Sequence, residues 1–164
     1  MEGREREILS EASLQSPVGL LTLTASGGAI TGLSWGVTSS VIAVPSEPDG
    51  ILAEALQQLS AYFDGRLRVF DLPLHVAGSD YQRAVCAEMS AIPFGRTRTY
   101  GELARRIGSS AQAVGNACGA NPIPILIPCH RVLGSSDLGG FSGRGGVETK
   151  VTLLRHEGAA GLLI

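Results

Sequence analysis

Three helix starts written into the second half of the chain constrain its fold more than any other feature. Ser79 with Gln82, Thr99 with Glu102, and Ser109 with Gln112 each match a capping box. In that motif the Ser or Thr oxygen accepts the amide of the third helical residue, and the Glu or Gln side chain reaches back to the cap. They predict helices near 80–91, 100–107 and 110–119. Only Gly108-Ser109 separates the last two, a connection short enough for a helix-turn-helix. By itself such a pair serves ordinary helix packing as readily as DNA recognition.

The first half follows a different pattern. Pro17-Val18-Gly19 signals a turn between the run Ile8–Leu14 and the alternating Leu21-Thr22-Leu23-Thr24, and Gly27-Gly28 leads into Ala29–Trp35. Three short strands in one antiparallel sheet are expected. Residues 37–49, with Pro45 and Pro48, read as loop. Leu52, Leu56, Leu59 and Phe63 then recur at helical spacing until Gly65 ends the run, which predicts a helix lying on the sheet. Val69–Val76 reads as one more strand, placed at an edge by Pro73. The fold class is therefore α+β, with a sheet-plus-helix first half and a helical second half.

Composition excludes several classes. The 164 residues are 44% hydrophobic and 17% charged, with 22 scattered glycines and no short repeat, so disordered and collagen-like readings fail. No apolar run approaches the roughly 18–20 residues of a membrane span. Met1–Glu7 alternates charges and lacks the apolar stretch of a signal peptide. Three cysteines, an odd count, suit a reducing compartment better than a disulfide framework. A cytoplasmic protein without a membrane partner is the expectation. The net charge of −2 conceals an asymmetry of −5 over residues 1–78 and +3 over 79–164. The basic half is compatible with a phosphate-facing surface or with an ordinary solvated one.

Candidate chemistry gathers after the third helix. The apolar, proline-bounded run Asn121–Pro128 ends in Cys129-His130-Arg131, a thiol, an imidazole and a guanidinium in succession at the end of a segment expected to be buried. Cys129 is either a packed small hydrophobe or a thiolate nucleophile whose pKa is lowered by the neighbouring His and Arg. A zinc site built on Cys86, Cys118, Cys129 and His130 lacks any close ligand pair to seed it. The glycines at 134, 139, 140, 143, 145 and 146 match no phosphate-binding fingerprint and read as a loop around Phe141-Ser142. A last helix, Val147–Glu157, ends in a carboxylate that opposes the helix dipole. Glu157 is either a solvated terminal residue or the third member of a Cys129–His130–Glu157 relay.

Ile127-Pro128-Cys129-His130-Arg131-Val132, preceded by Asn121-Pro122 and followed by Gly139-Gly140-Phe141-Ser142-Gly143 and Leu153-Leu154-Arg155-His156-Glu157-Gly158, resembles the O6-alkylguanine-DNA alkyltransferases. Ile92-Pro93-Phe94-Gly95 and Thr99-Tyr100-Gly101-Glu102-Leu103-Ala104 stand in the expected order, so the likeness spans about residues 79–158 and reaches weakly to Ser16–Gly19. It implies a ribonuclease-H-like lobe at 1–78 and a helix-turn-helix DNA-binding and alkyl-transfer domain at 79–164. The implied activity is stoichiometric, irreversible transfer of the alkyl group of O6-alkylguanine, or O4-alkylthymine, in double-stranded DNA to Cys129 after base flipping. His130 and Glu157 would activate the thiol through water, Asn121 would hold the site, and Tyr100 would stabilise the departing guanine. Thr99, Gln112, Ala113, Gly115, Arg131, Phe141 and Ser142 fall at substrate- or DNA-facing positions. No metal, organic cofactor, obligate partner or zinc-binding N-terminal extension is implied, and a monomer is expected.

The sequence departs from the family in three places. Gln112 stands where an arginine commonly fills the gap left by the flipped base. The turn after Gly108 is about two residues short, which suggests that Gln112 is consumed as a capping residue. Cys86 replaces a common tryptophan, a change expected to matter only for packing. Two other readings compete: a non-catalytic lesion recogniser, whose known kind lacks the acceptor cysteine, and a regulator using only the helix-turn-helix.

Overall fold

A computed structural model describes residues 10–36, 50–141 and 143–159. Three antiparallel strands open the chain: β1 (Ser10–Ser16), β2 (Gly19–Ser26) and β3 (Ala29–Trp35), in the order β1-β2-β3. Gly27 and Gly28 both take positive φ, 60° and 81°, as a two-residue turn matched to the twist of its strands requires. Helix α1 (Ile51–Phe63) covers the sheet with Leu52, Ala55, Leu59 and Tyr62. Of the four residues expected to face inward, Leu52 and Leu59 are buried while Leu56 and Phe63 are only partly so, so the inner face is turned toward Ala55 and Tyr62. The loop expected over 37–49 lies outside the described residues.

Residues 69–76 do not form the expected fourth strand. The segment meets the sheet at one bridge, Ile30 with Leu74, through bonds from Ile30 N–H to the Pro73 carbonyl and from His75 N–H to the Ile30 carbonyl. Pro73 has no amide proton to extend the ladder.

The second half holds α2 (Asp80–Ser90), α3 (Tyr100–Ile107), α4 (Ala111–Gly119) and α5 (Val147–His156), with a parallel pair between β4 (Arg98–Thr99) and β5 (Val132–Leu133). Of the three expected capping boxes one is complete: Thr99 Oγ1 accepts from Glu102 N–H while Glu102 Oε1 accepts from Thr99 N–H. Ser79 caps α2, but the Gln82 side chain donates to the Ala117 carbonyl instead of reaching back. Ser110, not Ser109, caps α4 by accepting from Ala113 N–H. Ser109 turns its hydroxyl to Tyr81. Gly108, at φ 74°, ends α3 in the left-handed conformation and completes the helix-turn-helix.

Both halves share one continuous apolar core, in which Leu21, Leu23, Ile30 and Leu59 join Val85, Met89, Leu103, Val114, Ile127 and Leu153. The edge strand β3 also bonds directly to the segment before the Cys-His-Arg run, from Leu33 N–H to the Pro122 carbonyl at 3.0 Å. Among the described residues no helix is long and apolar enough to cross a membrane.

Candidate active site

The segment from α4 to Cys129 is folded on itself by a backbone bond from Ile127 N–H to the Ile123 carbonyl and by the Asn121 side chain. Asn121 Nδ2 donates to the Ile127 carbonyl at 2.9 Å and its Oδ1 accepts from Ile123 N–H at 3.0 Å. The loop carries Ile125 at φ 73°, a strained conformation for a β-branched residue. Burial of Ile123, Ile125 and Ile127 holds that strain in place. The chain leaves the loop as a 3₁₀ turn, Cys129–Arg131, which presents the thiol and the imidazole in succession.

Glu157 is not a solvated terminal residue. It is 5% exposed, and its carboxylate accepts four hydrogen bonds. His130 Nε2 and Tyr62 Oη reach Oε2 at 2.8 and 2.6 Å, and Arg131 donates from Nε to Oε1 at 2.8 Å and from Nη2 to Oε2 at 3.0 Å. Burial raises the Glu157 pKa, but the donors from His130 and Arg131 outweigh it and hold the group at about 2. An ionised carboxylate on Nε2 fixes the imidazole with its proton there. Nδ1 is then an acceptor, and it is buried without a hydrogen-bond partner among the described residues. Burial also pushes the His130 pKa below its ordinary value, which keeps the ring neutral.

Of the two readings of Cys129, a packed thiol or a thiolate with a lowered pKa, the resting state fits the first. Burial pushes its pKa up to about 11, against the opposing pull of Asn121 and the Lys150 charge, so the resting group is a thiol. Arg131, expected both to favour the thiolate and to face DNA, does neither. It is 6% exposed, and its guanidinium is committed to Glu157 and to the Ile92 carbonyl.

Cys129 opens onto a cavity of about 390 Å³ lined also by Tyr100, Gly115, Cys118, Gly119, Gly140 and Phe141. Gly115, Cys118 and Gly119 lie on one face of α4, and their small side chains leave room for a planar group against the helix. Tyr100, at the start of α3, is half-buried, and burial raises its pKa, so it enters the cavity as a phenol able to donate. Thr99 commits its oxygen to the α3 cap, and Ala113 stands partly exposed in the first turn of α4. Gln112 is exposed beside it and is not a capping residue, because Ser110 fills that role. Ser142 lies outside the described residues.

Two participants escaped sequence reasoning. Tyr62 sits 95 positions from Glu157; the helical period pointed to its neighbour Phe63, and nothing local pointed to its partner. Lys150 is fully buried and donates to the Val132 and Gly140 carbonyls at 2.6 and 3.0 Å, tying the glycine-rich loop to α5. A lone lysine on a helix gives no sequence signal of such burial.

Family models agree with this geometry along nearly the whole chain. The ribonuclease-like domain of 6-O-methylguanine DNA methyltransferases matches residues 9–76, and their DNA-binding domain matches residues 80–159. The chain is 42% identical to the methylated-DNA–protein-cysteine methyltransferase of Mycolicibacterium paratuberculosis, over 88% of this chain and 90% of that one. With its namesake from Methanosarcina acetivorans it shares 38% identity, over 90% and 97%. Mycobacterium tuberculosis OGT, solved in complex with DNA, superposes with a TM-score of 0.80 at 41% identity, covering 91% of this chain and 92% of that one. With both domains matched in order and the His130–Glu157 pair tied to Tyr62 of the first, the chain belongs to the 6-O-methylguanine DNA methyltransferase family.

Proposed function

We propose that this protein repairs O6-alkylguanine in double-stranded DNA by moving the alkyl group onto Cys129 in one irreversible step. The observation that carries this reading is the pair of imidazole nitrogens: Nε2 held by an ionised Glu157, Nδ1 buried and free to accept a proton. A thiol with a pKa near 11 needs such a base, because too little of it ionises unaided at neutral pH.

The target base swings out of the stack into the cavity beside α4, against Phe141. The Cys129 proton passes to His130 Nδ1 across one water molecule, and Glu157 stabilises the imidazolium that forms. Sγ attacks the alkyl carbon as the carbon–O6 bond breaks, and the bonding pair leaves with guanine. Tyr100 Oη donates a hydrogen bond to that developing negative charge, and the guanine takes up a proton on release. The thioether formed on Cys129 has no route back to a thiol, so each molecule reacts once. Residues 79–164 supply the chemistry and the DNA surface, while residues 1–78 hold Glu157 through Tyr62. Because one chain carries the whole relay, a monomer suffices.

The test is intact-protein mass spectrometry after incubation with a short duplex containing O6-methylguanine, followed by peptide mapping. One methyl group on Cys129, with no turnover beyond one equivalent, is the expected result. An unchanged mass with the lesion duplex still bound would mark a recogniser and overturn the assignment.

A further inference from the structure

Phe141 forms one wall of the cavity that holds Cys129, yet it stands on the glycine-rich segment before α5, where the chain has little packing of its own. Lys150 secures that segment at the Gly140 carbonyl. Further along, Thr149 Oγ1 of α5 donates to the Arg144 carbonyl, but the Phe141 ring itself is met from the other half of the molecule. Trp35, the last residue of β3, meets Phe141 edge-on with ring centroids 5.8 Å apart and planes at 90°. This perpendicular arrangement is the favoured one for aromatic pairs.

The indole is itself held at two points. Trp35 pairs with Leu21 in the sheet, and its Nε1–H donates to the Val18 carbonyl at 2.9 Å. Gly143 runs beneath both rings. A Cβ there would overlap Phe141 Cε2 and approach Trp35 Cη2 and Cζ3 within 2.7 and 2.8 Å, so only glycine lets the backbone pass. One residue on, the Arg144 guanidinium covers Gly36, where a Cβ would come within 2.9 Å of Nη2. Gly36 is anchored in turn, by its N–H to the Leu20 carbonyl and by its own carbonyl, which accepts from Thr22 Oγ1. Thus the end of β3 is a fixed anvil, and the Phe141 segment closes against it.

We propose that Trp35 is a positioning residue for alkyl transfer, through which the N-terminal sheet sets the place of Phe141 and so the width of the base-binding cavity. The inference rests on the transfer reaction proposed above. It also makes the single tryptophan of the chain a direct reporter of cavity occupancy.

A double-mutant cycle on the single-turnover transfer rate, at saturating O6-methylguanine duplex, tests the contact. Trp35→Ala and Phe141→Ala are each expected to slow transfer roughly 2- to 10-fold, the rate equivalent of one aromatic pair. The double variant should be no slower than the worse single one, while Trp35→Phe restores most of the rate. Additive losses, or Trp35→Phe as slow as Trp35→Ala, would overturn the proposal. If Trp35→Ala fails to fold, Trp35→Leu replaces it in the cycle.

A second readout does not depend on chemistry. In the Cys129→Ala protein, lesion duplex should shift the Trp35 emission, whereas the same duplex with ordinary guanine should not. Equal responses to both count against a Trp35–Phe141 clasp. Wild-type protein that binds the duplex but takes up no methyl group is a separate outcome: it defeats the transfer reaction, and the positioning role falls with it even where the emission shift persists.

Discussion

At the scale of single residues, the site is built around one carboxylate. Glu157 collects donors from His130, Arg131 and Tyr62, and each bond does a different task. The His130 bond orients the base, the Arg131 fork balances the charge, and the Tyr62 bond ties both to α1. A hydrogen bond to a buried charge contributes about 1.5–3 kcal/mol. Tyr62→Phe is therefore expected to lower the unfolding free energy by about that amount in a denaturant titration, with a loss of transfer rate smaller than tenfold. Glu157→Gln should cost more, about 3–5 kcal/mol, because it strands the Arg131 charge in the interior. A Tyr62→Phe protein as stable as wild type would show that Arg131 and His130 hold Glu157 unaided. The sequence disclosed Cys129, His130 and Glu157 as candidates because they are chemically conspicuous at the ends of apolar segments. It misassigned Arg131, since adjacency to Cys129 gave no hint that a 3₁₀ turn would aim the guanidinium at Glu157.

The elements show how far local rules reach. The Thr99–Glu102 box closes within one helical turn, whereas Gln82, at the same spacing from Ser79, is drawn off to the distant Ala117 carbonyl. The α4 start was misplaced by one residue, since Ser109 and Ser110 are both competent caps and only the distant Tyr81 hydroxyl decides between them. Edge strand 69–76 failed for a related reason: its length suggested a ladder, but its proline allowed one bridge. The corrected cap changes the reading of Gln112. As an exposed residue in the first turn of α4, it is free to enter the gap left by a flipped base, but it lacks the charge and planar fork of arginine. Gln112→Arg should speed transfer from intact duplex roughly 3- to 10-fold, the gain of a charge-assisted hydrogen bond. Reaction with single-stranded substrate, where no stack must be opened, should stay unchanged. Rates compared on the two substrates check this; acceleration on both would point to general electrostatic attraction instead.

Over the whole molecule, the two halves are joined at the functional site itself. Tyr62 bonds Glu157, the His156 ring donates to the Tyr62 carbonyl at 2.6 Å, Leu33 bonds the Asn121 loop, and Trp35 meets Phe141. No sequence period announces contacts across about 90 to 105 positions, so the two halves were legible but not their junction. That junction contains titrating groups whose shifts have a definite sign. His130 has a folded pKa below its ordinary 6.5, and Glu157 one of about 2 against an ordinary 4.5. In both cases the unfolded chain binds a proton at a pH where the folded chain does not, so acid favours unfolding. Stability should hold from 6.5 up to the ordinary thiol range, begin to fall in acid as His130 becomes protonated in the unfolded chain, and fall again from 4.5 toward 2. Above about 9 it should fall too, because the buried Cys129 thiol ionises more readily once unfolded. The Glu157 step is worth on the order of 3 kcal/mol. Because Glu157 is held from both halves, its protonation should release them together. Acid unfolding followed by Trp35 emission, which reports the sheet, and by helical circular dichroism, which reports mainly the second half, should trace one transition. Two separated transitions would mean that the halves are stable apart and that the carboxylate only decorates their boundary.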